Sequence, residues 1–110
     1  MGSSHGPSRP APELPAAVER YLSERFATEE IERIEQPPWI VFVVQGEGHR
    51  LYLAVSHCFL RDRKVTEVGL SLYEHRVAEQ MAAEAGRKVV LVRSSGTELH
   101  PGTWAILPPA

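Results

Sequence analysis

At 110 residues the chain has the length of one ordinary domain, enough to bury a single core and too short for two. Apolar residues make up 43% and charged residues 24%, which excludes wholesale disorder, and a formal charge of -2 gives no global attraction for phosphate polymers, so a nucleic-acid role needs a local basic patch. Cys58 is the single cysteine, which excludes an intramolecular disulfide and a cysteine-rich zinc site and points to a reducing cytoplasm.

Met1 to Pro12 is rich in Gly, Ser and Pro with almost nothing apolar, so residues 1–12 are expected to form a flexible tail, with one globular domain over 13–110. The opening Met-Gly-Ser-Ser-His resembles a vector-derived leader, and His5 is set aside as a ligand. The longest apolar run, Trp39 to Val44, is far below the ~20 residues of a membrane span, and no charged-then-apolar signal segment opens the chain. Neither membrane insertion nor secretion is expected.

The spacing of Leu14, Val18, Tyr21, Leu22 and Phe26 predicts a first amphipathic helix, with Pro15 suited to its first turn. Thr28 to Gln36 reads as a short polar edge strand, with a helical turn through Ile31 and Ile34 as the alternative. Trp39 to Gln45 has the uninterrupted apolar texture of a central strand covered on both faces. Gly46, Glu47 and Gly48 supply a turn, and His49 to Cys58 returns as a second strand, with Leu51, Leu53 and Val55 on one face and Tyr52, Ala54 and Ser56 on the other.

Leu60 to Gly69 reads as a charged loop. Ser71 and Glu74 have capping-box spacing and predict a continuous helix from Ser71 to Gly86, with Tyr73, Val77, Ala78, Met81 and Ala85 on its apolar face. Val89 to Val92 predicts a short buried strand reached by crossover, Ser94 to Gly102 a turn-rich loop, and Trp104 to Leu107 a closing edge strand. The fold class is α+β: a mixed sheet flanked by two helices.

This order of helix, strand, hairpin strands, helix and strand resembles the core of the restriction-endonuclease-like, or PD-(D/E)xK, nucleases. The resemblance covers about Leu14 to Leu107 and rests on element order and local texture. It implies an acid at the start of the central strand and an acid-x-lysine pair on the next, together holding a divalent metal and orienting a water for phosphodiester attack. Those positions fall at Trp39, Ala54 and Ser56, and none supplies a carboxylate or a lysine. The resemblance therefore implies a degenerate, non-catalytic copy of that scaffold.

Other chemistry is sparse. Glu74, placed by helical phase in the middle of an apolar face, is a candidate metal ligand or general base, against a plain role as a capping-box arm. His57 and His75 are further metal candidates, and His49 could join them, although no spacing repeats a known motif and the histidines read equally as strand-end and surface residues. Ser56 and His57 point to opposite faces of a strand, which works against a dyad, and Cys58 reads as an inert thiol unless a cation lowers its pKa. The chain has no nucleophile elbow and no Walker or Rossmann glycine pattern, so no cofactor is expected.

Arg50, Arg61, Arg63 and Lys64 could converge at one end of the hairpin as a nucleic-acid contact, with Tyr52 or Trp39 nearby, or simply form a solvated loop balanced by Asp62 and Glu67. Two functions are weighed. The first is a small non-catalytic module that acts through a protein partner, or by self-association, at a sheet edge near Ile31 to Ile34 or Trp104 to Leu107. The second is a nuclease-like nucleic-acid binder with a degenerate site, and a small enzyme of unknown substrate stays open beside both.

Overall fold

The computed structural model describes residues 10–110, so His5 and most of the expected tail lie outside the described residues. Order begins earlier than residue 13: Pro10 is buried, and the Leu14 amide donates to the Ala11 carbonyl at 2.9 Å. Helix α1 spans Glu13–Arg25 and buries Leu14, Ala17, Val18, Tyr21 and Leu22 on one face, as the spacing predicts.

The sheet has five strands in chain order: β1 (Glu30–Gln36), β2 (Trp39–Gly46), β3 (His49–Ser56), β4 (Val89–Arg93) and β5 (Gly96–His100). β1, β2 and β3 form an antiparallel meander in which Gln36 and Ser56 both pair with Trp39. A helical crossover then brings β4 parallel to β3, with Tyr52 beside Val89 and Val55 beside Val92, and a tight turn at Ser94 and Ser95 returns β5 antiparallel. The sheet is mixed and the fold α+β, with four helices among the described residues where the sequence predicts two.

The two extra helices come from the segment read as strand end and loop. Ser56 ends β3, and its hydroxyl accepts the Phe59 amide at 3.0 Å, opening α2 at His57–Arg61, so His57 and Cys58 are helical. α3 then spans Val65–Glu74, and its first turn is closed by Glu67, whose carboxylate accepts the Lys64 amide at 2.7 Å. The cap therefore lies at Lys64 and Glu67, and Ser71 sits inside the helix.

The expected helix from Ser71 to Gly86 is also interrupted. Arg76 adopts a left-handed conformation, φ 52° and ψ 47°, which separates α3 from α4 (Val77–Glu84). Such a residue costs about 1–2 kcal/mol when it is not glycine. Two side chains offset it: the Tyr21 hydroxyl accepts the Ala78 amide at 2.9 Å, and Gln80 donates to the His75 carbonyl at 2.7 Å. α1 thus supplies the cap that α4 lacks at its own N-terminus.

All four helices cover one face of the sheet. Ile40, Phe42, Val44, Leu51, Leu53, Val55, Val90 and Val92 pack there against Val18, Leu22, Phe59, Leu60, Val68, Leu72, Val77 and Met81. On the other face Trp39, Val41, Val43, Ala54, Val89 and Leu91 form a second buried cluster, joined by Trp104 and Leu107. Trp104 to Leu107 is not an edge strand; it belongs to a strap running over this back face. Gln36 donates to the Trp104 carbonyl at 2.9 Å, Trp39 to that of Pro108 at 2.8 Å, and Arg93 to that of Pro109 at 3.0 Å. The strand at that border of the sheet is β5, and among the described residues the two open edges are β1 and β5. No helix among the described residues is long and apolar enough to cross a membrane.

Candidate functional site

The strand ends that the nuclease resemblance singles out do not fit a metal. Trp39, Ala54 and Ser56 do come together, since Trp39 pairs with Ser56 and Val41 with Ala54, and all three are buried. Each serves the fold. The Trp39 indole donates to Pro108 and lies 5.4 Å from the Arg93 guanidinium, Ala54 packs in the back cluster, and Ser56 caps α2. Hard cations need converging oxygen ligands, and this corner offers an indole, a methyl and an engaged hydroxyl.

The scattered candidates stay scattered. Glu74 is the last residue of α3 and is exposed: it follows Leu72 by two residues, about 200° around a helix that turns ~100° per residue, so it points away from the core. His75 is exposed beside it with a ring nitrogen 2.9 Å from the Ser71 carbonyl, whereas His57 is buried at the start of α2, where its amide donates to the Pro38 carbonyl. Among the described residues no group of three His, Cys, Asp or Glu is placed to hold a metal ion.

The basic residues divide as well. Arg50 lies near the start of β3 and Arg61, Arg63 and Lys64 follow its end, so about 20 Å of strand separates them at ~3.3 Å per residue. Arg63 is occupied within the fold: it donates to the Phe59 carbonyl and Ser71 hydroxyl at 3.1 and 3.2 Å, and its guanidinium covers the Phe59 ring at 4.0 Å. Arg61 donates to the Cys58 sulfur at 3.0 Å, and neighbouring Asp62 accepts from Ser94. Lys64 is exposed at the start of α3.

Besides the β5 edge, two surfaces are open. The first is β1, which pairs along all seven residues with β2 and, among the described residues, has no strand on its far side. Glu30, Glu32, Arg33 and Glu35 are exposed along it, and Arg33 is already held by Glu19 at 3.0 Å, so the edge is acidic.

The second is a cleft where β3 and β4 begin, with a volume of about 350 Å³ and walls formed by Tyr52, Arg87, Val89 and Pro101 to Trp104. A shallower lobe adjoins it across Tyr52 and Gly86 and is bounded by His49 and Arg50. Gly86 holds the two lobes in place. It has a φ of +84°, and a Cβ there would lie 2.3 Å from the Arg50 carbonyl oxygen, so only glycine permits this approach of the α4–β4 turn to β3. Sequence reasoning places Arg50 and Tyr52 with the distant basic loop. The partners that define the cleft, Trp104 and Gly86, meet them only through tertiary packing.

No family model, curated protein or solved structure matches this chain. The functional reading therefore rests on the surfaces themselves.

Proposed function

We propose that this domain is a non-catalytic binding module that acts in the cytoplasm through a protein partner, as an accessory or regulatory subunit. The observation that carries the reading is the open, full-length β1 edge. An unpaired strand edge offers a row of backbone donors and acceptors to an added strand, and side-chain pairs across the new ladder select the partner. Glu30, Glu32 and Glu35 favour an extended basic segment and oppose a second copy of β1, because like charges facing across a ladder are destabilising. This charge pattern favours a different protein over self-association. The structural duties of Trp39, Ala54 and Ser56 support the non-catalytic half of the reading and accord with a degenerate nuclease-like scaffold.

The test is capture from a nuclease-treated native extract with two baits, the wild-type domain and a Glu30→Lys/Glu32→Lys/Glu35→Lys variant whose fold is checked by circular dichroism. A stoichiometric protein retained by the wild type and lost from the variant supports strand addition at β1. Equal retention on both baits overturns the assignment to this edge. Material captured from an untreated extract in parallel, but lost after nuclease treatment, moves the weight to a nucleic-acid role.

A further inference from the structure

The cleft beside Tyr52 combines features that a purely structural hollow does not need. Among the described residues, the Arg50 and Arg87 guanidiniums have no ion-pair or hydrogen-bond partner, whereas Arg25, Arg33 and Arg93 are each paired with a glutamate. Tyr52 and Trp104 line the cleft from opposite sources, β3 and the strap, and among the described residues neither the phenol nor the indole N–H has a hydrogen-bond partner. The Tyr52 and Trp104 rings do not form a stacked or edge-on pair; the one ring pair found among the described residues is Tyr21 with Tyr73.

We propose that this cleft binds a nucleoside phosphate, with the base between Tyr52 and Trp104 and the phosphate on Arg87 and Arg50. Flat aromatic side chains accept any base by stacking, and guanidiniums hold phosphate oxygens in bidentate pairs. The build of the two lobes favours this class over a simple aromatic acid. An occupant that reaches both lobes across Tyr52 and Gly86 has its ring in one, its anion near the other and a polar linker between them. The lobe between Tyr52 and Trp104, about 350 Å³, falls at the lower end of small-ligand sites, which run from roughly 300 to 1,000 Å³. Of the acids around this rim, Glu29 faces His49 at 3.4 Å, Glu84 faces Lys88 at 4.0 Å, and Glu47 is exposed in the turn between Gly46 and Gly48. The site does not depend on the β1 reading and can hold whether or not that edge binds a protein.

Two sources present the same chemistry, a free nucleotide and the end of a single strand. The experiment is a titration of the full chain with AMP, followed by amide chemical shifts and tryptophan emission, with adenosine and inorganic phosphate as separate half-ligands. The expected result is saturable AMP binding, with shifts confined to residues 49–52, 85–89 and 101–104, and neither half-ligand saturating at the same concentration. Arg87→Glu, an exposed position that leaves the fold intact, weakens AMP by roughly tenfold or more, and Arg87→Lys by less. A 5′-phosphorylated tetranucleotide that competes at roughly tenfold lower concentration than AMP upholds the site and assigns the strand end; weaker competition upholds it and assigns the free nucleotide. The proposal is overturned if AMP, GMP, CMP and UMP all fail to saturate by about 10 mM, if the shifts fall elsewhere, or if Arg50→Glu and Arg87→Glu both leave binding unchanged.

Discussion

The Trp39 indole donates from Nε1 to the Pro108 carbonyl at 2.8 Å, so the first residue of β2 fastens the end of the C-terminal strap to the back of the sheet. The Arg93 guanidinium, 5.4 Å from the same ring, donates to the next carbonyl, that of Pro109. A residue placed where the resembled family would carry a metal-binding acid is here a fastener.

Replacing Trp39 with Phe keeps most of the apolar volume and removes the donor. A buried hydrogen bond contributes about 1 kcal/mol net, and the orphaned carbonyl and lost volume add to the cost, so Trp39→Phe should destabilise the domain by about 1–3 kcal/mol. Urea denaturation measures this, and limited proteolysis should find earlier cleavage within residues 101–110. A variant as resistant as wild type would mean that the strap is held by Leu107 and Gln36 without help from Trp39.

The Tyr21 hydroxyl carries the start of α4, and burial is the main reason its pKa is raised above the ordinary tyrosine value. The folded state therefore favours the neutral phenol. Its stabilising contribution is fully present below about pH 10 and is lost as pH rises through the raised folded value, because the unfolded chain releases the proton first. Tyr73, raised by partial burial and by its bond to Glu24, acts in the same direction. Urea midpoints should hold between pH 8 and 9.5 and fall by pH 11. Tyr21→Phe should lower stability by about 1–3 kcal/mol at pH 8, by orphaning the Ala78 amide, and should flatten the alkaline decline. An unchanged slope would place the alkaline sensitivity elsewhere.

Glycines 69 and 86 should respond in opposite directions. Gly69 lies inside α3 with open space where an alanine methyl would project, so Gly69→Ala should stabilise by roughly 0.5–1 kcal/mol through helix propensity. At Gly86 the positive φ and the 2.3 Å approach to the Arg50 carbonyl make Gly86→Ala destabilising by more than about 1 kcal/mol. Thermal melts of the two variants decide the matter, and a Gly86→Ala protein with wild-type stability would contradict the close packing of this turn on β3.

Ser56 probes the strand end that the nuclease resemblance singles out. Ser56→Ala should cost about 1 kcal/mol through loss of the α2 cap, whereas Ser56→Lys, the residue type the nuclease pattern asks for, should cost several kcal/mol because the position is 1% exposed. A soluble, stable Ser56→Lys protein would show that this corner opens readily and would revive the enzymatic alternative.

Much of the sheet is legible in the sequence because its signals are local. The unbroken run from Trp39 to Val44, the alternation after Leu51 and the apolar Val89 to Val92 each declare a strand, and the order of elements gives the mixed sheet. The helical crossover misleads where two local signals compete: Ser71 and Glu74 have capping-box spacing, but Glu67 caps Lys64 earlier in the chain and sets the helical phase that turns Glu74 outward. The break at Arg76 has no local signal, since the stabilising hydroxyl comes from Tyr21, far away in the chain. The cleft is hidden for the same reason. Tyr52, Gly86, Arg87 and Trp104 become neighbours only once β4 has paired with β3 and the strap has crossed the back face.

The two faces of the sheet are unequally insured: the front is sealed by four helices, the back by a single ribbon of chain. Trp39 and Trp104 both belong to that thin side, while the helical signal belongs entirely to the thick one. Tryptophan emission and far-ultraviolet dichroism therefore watch different layers of the same molecule. A denaturant that peels the ribbon first would redden the emission before any ellipticity is lost, giving two transitions that do not superimpose. A ligand wedged against Trp104 would draw those two curves back together.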